Sequence, residues 1–194
     1  MLSYIIQFWQ IALVLLIVVL ELLSRLVDRN TTTKNKFEFE KMPLLRPVRI
    51  PTAGNGAAKA LWIWISATRK WEVSEDFYFT LNGIRYVIPT GFVCDCTSIP
   101  KFLRLVVSPT GILLVGALIH DYTYAYGHLK LANSGITKQY SQRHTDRLFR
   151  DINIQVNGFT SINYIAYYIL RTLGFFTWYT HRGRNKNESL KKNV

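Results

Sequence analysis

His120 and Asp121 stand side by side at the end of an apolar run, Gly111 to Ile119. Taking an imidazole and a carboxylate out of water is costly unless each finds a partner, so the pair is either a hydrogen-bonded structural unit or a site. On a helix His120 and Tyr124 share one face at i and i+4, whereas Asp121 points about 100° away. One helix thus offers an imidazole base and a carboxylate that could reach a cation. Asp146, in the stretch Arg143-His-Thr-Asp146-Arg-Leu-Phe149, is the natural third group, because two antiparallel helices joined by a loop can turn these side chains towards each other. A carboxylate on one imidazole nitrogen fixes the tautomer and stabilises the imidazolium formed when the other nitrogen takes a proton. Asp121 would then hold a hard cation such as calcium through oxygen ligands.

His120-Asp121-x-x-Tyr124, followed by Asp146-x-x-Phe149, resembles the corresponding elements of secreted and parvoviral phospholipases A2. The resemblance covers roughly 119–149 and implies roles: His120 the general base, Asp121 a calcium ligand, Tyr124 a support for Asp146. The Gly-rich calcium loop of those enzymes has no counterpart in Gly91 to Ser98, where Asp95 is the side-chain substitute that such a site would need. A wider match, over about 73–178, is to a phage and prophage domain family of unknown function. Its pattern of Asp-x-x-Ser-x-Pro, His-Asp-x-x-Tyr and Asp-x-x-Phe stands here as Asp95 to Pro100, His120 to Tyr124 and Asp146 to Phe149. That match implies a viral or prophage origin and brings no activity with it. Ser98 lacks a nucleophile elbow and is expected to support the fold by capping the following turn.

The elements expected to position these groups are α+β. Ala60 to Ile65 is a short apolar run consistent with a buried strand, and Trp71 to Leu81 is aromatic and partly alternating. Asn82-Gly83 supplies the positive φ angles of a two-residue turn, so Phe77–Leu81 and Ile84–Ile88 should pair as a hairpin of a small antiparallel sheet. A helical turn over 101–107, a helix start at Ser108-Pro109 and a helix through about Tyr124 follow, with Gly127 to Gly135 as a break. A second helix should occupy about 138–155, with Leu148 and Ile152 on its core face, and end at Asn157-Gly158. A third, about 161–178, is apolar almost all round and carries Arg171 as its only charge.

The first twenty residues pull in another direction. Leu2 to Leu20 is free of charge and as a helix would span roughly 28 Å, about the hydrocarbon thickness of a bilayer. The expectation is an uncleaved transmembrane helix, with the C-terminal domain on the cytoplasmic side because Arg25, Arg29, Lys34 and Lys36 follow the span. The chain then divides into an anchor (1–27), a polar and Pro-rich linker (28–56), a globular α+β domain (57–180) and a basic tail (181–194). Twenty-four Lys and Arg against twelve Asp and Glu give a net charge of +12. This favours anionic phospholipid of a bilayer as a partner and leaves nucleic acid a weaker one, since the tail lacks interleaved aromatics. The two cysteines, Cys94 and Cys96, point to one face if extended, a geometry that rarely closes a disulfide, and are too few for a structural zinc site.

Two functions compete. One is a phage-type, membrane-anchored, calcium-dependent lipid hydrolase in which His120 activates water, Asp146 orients it, and Asp121 with Asp95 holds calcium at the oxyanion; a peptide or peptidoglycan hydrolase on the same residues lacks zinc-ligand spacing. The other is non-catalytic: a structural or assembly protein of a lipid-containing virion or infected-cell membrane, with other viral membrane proteins as partners. Solvent access to His120 discriminates them, a catalytic histidine needing an open cleft.

Overall fold

The computed structural model describes residues 2–27, 35–50, 54–66, 70–95, 111–135 and 137–192, and the side chains of these except at 2–7, 10, 27, 64–66 and 184–192. Five helices and eight strands follow in the order α1 (Leu2–Val27), β1 (Phe37–Phe39), β2 (Leu45–Pro47), α2 (Ala57–Ser66), β3 (Trp71–Val73), β4 (Phe77–Leu81), β5 (Ile84–Ile88), β6 (Val93–Cys94), α3 (Leu114–Tyr126), β7 (His128–Leu131), β8 (Thr137–Gln139), α4 (Gln142–Asn157) and α5 (Thr160–Lys192). Two antiparallel sheets run β1-β4-β5-β7-β8 and β2-β3-β6. The expected hairpin is the centre of the larger one. Asn82 and Gly83 take φ of 52° and 78°, the left-handed pair that a turn matching the strand twist requires, and Phe77 pairs with Ile88 and Leu81 with Ile84. Two segments inside the stretch read as linker are edge strands, β1 against β4 and β2 against β3.

The layers explain why the run before His120 is so apolar. Alternation along β4 buries Phe77, Phe79 and Leu81 on one face, where they meet Leu118, Ile119 and Tyr122 of α3 and Leu148 and Ile152 of α4. The opposite side of that helix pair, through Leu113, Ala117 and Phe149, packs on Ala166 and Leu170 of α5. A helix covered on both sides is apolar nearly all round, and α3 is the middle layer. It stops at Gly127, whose φ of 78° and N–H bond to the Thr123 carbonyl make a left-handed cap. Helix α4 starts where Ser141 Oγ accepts the His144 N–H and ends at Gly158, as Asn157-Gly158 indicates.

Four expectations need correction. Ala60 to Ile65 is part of α2 and not a strand: a short apolar run does not distinguish the two by periodicity, and the preceding Ala57-Ala58-Lys59 favours a helix. Among the described residues no helix is long and apolar enough to cross a membrane, which overturns both the transmembrane anchor in the expected fold and the single-pass localisation drawn from it. Helix α1 instead runs on through Glu21, Ser24 and Arg25, and these dock it. The buried Glu21 carboxylate accepts the N–H groups of Thr160 (3.3 Å) and Ser161 (2.9 Å) at the start of α5, donors that have no partner within that helix. Burial raises the Glu21 pKa, but these bonds and the one from Arg25 outweigh it and hold the carboxyl below its ordinary range. Lastly, Cys94 is disulfide-bonded; the extended geometry that argued against a disulfide ends with β6 at Cys94 itself. The expected helical turn over 101–107 and the start at Ser108-Pro109 lie outside the described residues.

Candidate active site

The third side chain is where the sequence puts it. His120 Nε2 lies 3.0 Å from Asp146 Oδ1, and the Tyr124 hydroxyl donates to the same oxygen at 2.6 Å. Asp146 is fully buried and His120 is 2% exposed. Helical spacing produces the arrangement: His120 and Tyr124 are one turn apart on α3, so both rings reach α4 together, 4.0 Å between centroids. Phe149, one turn on from Asp146, lies edge-on to the imidazole at 5.6 Å.

The other oxygen of Asp146 has a partner that the motif does not contain. Arg171 on α5 donates from Nη1 to Asp146 Oδ2 at 2.7 Å, with its side chain 30% exposed. The signal was present in the sequence, since a single charge in an apolar helix has to be paired or solvated. Gln142, also outside the motif, donates to the Tyr124 hydroxyl. Gly174, one turn beyond Arg171, makes room for Tyr124: a Cβ there would sit 2.6 Å from the tyrosine oxygen.

Charges set the protonation. Burial disfavours the Asp146 carboxylate, but hydrogen bonds from His120, Tyr124 and Arg171 outweigh it and hold its pKa below the ordinary value. Burial likewise opposes a charged imidazole, yet Asp121 and Asp146 together leave the His120 pKa above that of an ordinary histidine. Burial and the Asp146 contact push the Tyr124 phenol upwards, so it stays a donor.

His120 Nδ1 faces away from Asp146 and towards Asp121. It lies 3.6 Å from Asp121 Oδ1, close enough for charge attraction but beyond a hydrogen bond, and has no hydrogen-bond partner among the described residues. The Asp121 side chain is 13% exposed. Asp95 is exposed just after β6. Ser98 lies outside the described residues. Among the described residues no three His, Cys, Asp or Glu groups gather as a metal site. His144 is exposed beside Tyr140 and takes no part.

A family model for a protein of unknown function, DUF1353, matches residues 71–168. The chain belongs to that family. The matched stretch includes Asp95, His120, Asp121, Tyr124 and Asp146, while Arg171 and the docking residue Glu21 fall outside it. No curated protein and no solved structure matches the chain.

Proposed function

We propose that the chain is an acyl hydrolase acting on phospholipid, with His120 as general base. One observation carries the reading: a buried imidazole has one nitrogen fixed by a carboxylate and the other left without a hydrogen-bond partner. Few buried polar atoms are unpaired without a reason, and an unpaired base nitrogen beside a carboxylate is suited to a water. Nδ1 takes a proton from that water as its oxygen bonds to the ester carbonyl carbon. The imidazolium is stabilised by Asp146 and returns the proton to the alcohol oxygen as the ester C–O bond breaks, which leaves a fatty acid and a lysophospholipid. Tyr124 and Arg171 hold Asp146 in place and touch no reacting atom.

Calcium belongs to this reading through Asp121 and Asp95 as candidate ligands, in keeping with the phospholipase A2 resemblance. No step above is routed through it. The phage and prophage pattern, Asp95 to Pro100 included, supports a viral or prophage origin for the hydrolase. The raised His120 pKa has a direct consequence: the neutral base gains population as pH rises, so the rate should climb on the alkaline side of an ordinary histidine.

A second reading rests on burial. With His120 2% and Asp146 0% exposed and Arg171 closing the far oxygen, His120 does not meet the open-cleft condition of a catalytic histidine in this conformation, and the cluster suits an ionic lock joining three helices of a structural or assembly protein, with viral membrane proteins as its partners. Hydrolysis of mixed phospholipid vesicles by the full chain, with calcium or with chelator, separates the two. Fatty-acid release that disappears in His120→Ala establishes the hydrolase, and its calcium dependence decides the cation. No release from the folded wild-type chain leaves the lock.

A further inference from the structure

Between Tyr168 and Tyr179 the one charge on α5 is Arg171, which turns to Asp146, and among the described residues nothing covers the outer face. Tyr168, Phe175, Phe176 and Tyr179 recur at helical spacing on the side away from Ala166 and Leu170, and they are 61%, 50%, 73% and 58% exposed. Four large aromatics in one stripe exceed what scattered surface apolar residues explain. Directly after the stripe, the sequence of the same helix adds Arg184, Lys186, Lys191 and Lys192 against the single acid Glu188, while Arg182 turns inward and donates to the Tyr124 carbonyl.

We infer that this stripe and its basic continuation are a peripheral docking surface for an anionic phospholipid bilayer, with α5 lying along the head-group boundary. An aromatic face with a flanking cluster of Lys and Arg is the pattern of a helix that lies in an interface without crossing it. Charge selects this occupant. A second copy of the chain would set one +12 body against another with like-charged helix ends nearby, whereas an anionic surface answers that charge. Nucleic acid would need cations interleaved with the rings so that phosphates and bases are met together, and here the rings precede the basic segment. Arg171 sits within the striped stretch and its inner end holds Asp146, so docking α5 would bring the bilayer to the helix that buttresses the dyad. The surface rests on the phospholipid reading for its purpose, but its test needs no turnover.

The test is flotation of the full chain with vesicles of phosphatidylglycerol and phosphatidylcholine, against phosphatidylcholine alone, in chelator and in the His120→Ala background. The expected result is preference for the anionic vesicles, weakening with salt, and a tenfold or greater fall in partition for Phe175→Asp/Phe176→Asp. Both rings are exposed, so that variant should fold, as circular dichroism checks. Made in the chain that keeps His120, the same double substitution should leave hydrolysis of a soluble short-chain phospholipid as in the wild type. Unchanged flotation of the double variant overturns the docking surface. So does a loss of self-association in the variant without vesicles, which would assign the stripe to a second copy, or wild-type flotation abolished by an oligonucleotide at equal charge. Normal flotation with no hydrolysis of any lipid would instead overturn the hydrolase and leave the surface standing.

Discussion

Helices α3 and α4 meet at two buried polar points one turn apart on α3, and the two are built differently. At the neutral one, the Asn153 Oδ1 accepts the Gly116 N–H at 3.2 Å, using a first-turn donor that the helix cannot satisfy itself. At the charged one, His120 meets Asp146 and a third helix supplies Arg171. Each point leaves one side-chain nitrogen without a hydrogen bond, Asn153 Nδ2 and His120 Nδ1. An unpaired atom is therefore not a site by itself. Asn153 Nδ2 is an amide that cannot exchange its proton usefully and is closed in by the backbone at Gly116, whereas His120 Nδ1, equally buried, is a titrating base 3.6 Å from the Asp121 carboxylate, whose side chain is 13% exposed.

The most damaging break falls at the charged point. Asp146→Ala should remove the carboxylate shared by His120 and Arg171, leaving the buried imidazole with Asp121 alone and Arg171 without its ion pair, and cost about 3–5 kcal/mol in urea unfolding, with hydrolysis lost. A milder result would mean that water reaches His120 more easily than its 2% exposure indicates. Next comes the neutral point. Gly116→Ala would place a methyl 2.6 Å from Asn153 Cγ, and Asn153, fully buried, has nowhere to turn; about 1–3 kcal/mol is expected. If unfolding of that variant matched wild type, the spacing of α3 and α4 would be set by the charged point alone.

These two points also show how far the sequence could be read. The His120, Tyr124 and Asp146 contacts were legible because helical spacing converts i and i+4 into a shared face, and the only unknown was whether the following helix ran back alongside. Arg171 was visible as a lone charge, but its partner depended on how a third helix crosses the pair, and no local pattern encodes that. Gly116 and Asn153 were silent: a glycine in an apolar run and an asparagine in an amphipathic helix gain meaning only when the backbones approach. The hairpin at Asn82-Gly83 was legible because turn chemistry is local, whereas β1, β2, β7 and β8 are three or four residues each and owe their existence to the neighbours they pair with. For α1 the run of apolar types was plain, but the docking of Glu21 onto the start of α5 depends on a contact 140 residues away.

The finest separation between the two points is their response to pH. Asn153 and Gly116 carry no titrating group, so all the pH dependence of the helix contact should come from His120 and Asp146. His120 has its pKa raised by folding, so its contribution to stability is complete below the unfolded value of about 6.5 and is lost as pH rises through the folded one. Asp146 has its pKa lowered, so its contribution is complete above the unfolded value of about 3.9 and is lost as pH falls through the folded one. Stability should therefore be greatest between these two limits, while hydrolysis, which needs neutral His120, should rise as the His120 contribution to stability fades. Urea unfolding across pH, wild type against His120→Gln, checks the first half: the alkaline decline of the wild type should be flatter in the variant, whereas Gly116→Ala should keep it. Equal alkaline slopes in wild type and His120→Gln would mean that His120 is already neutral in the folded chain, and then hydrolysis should show no rise above an ordinary histidine's pH range.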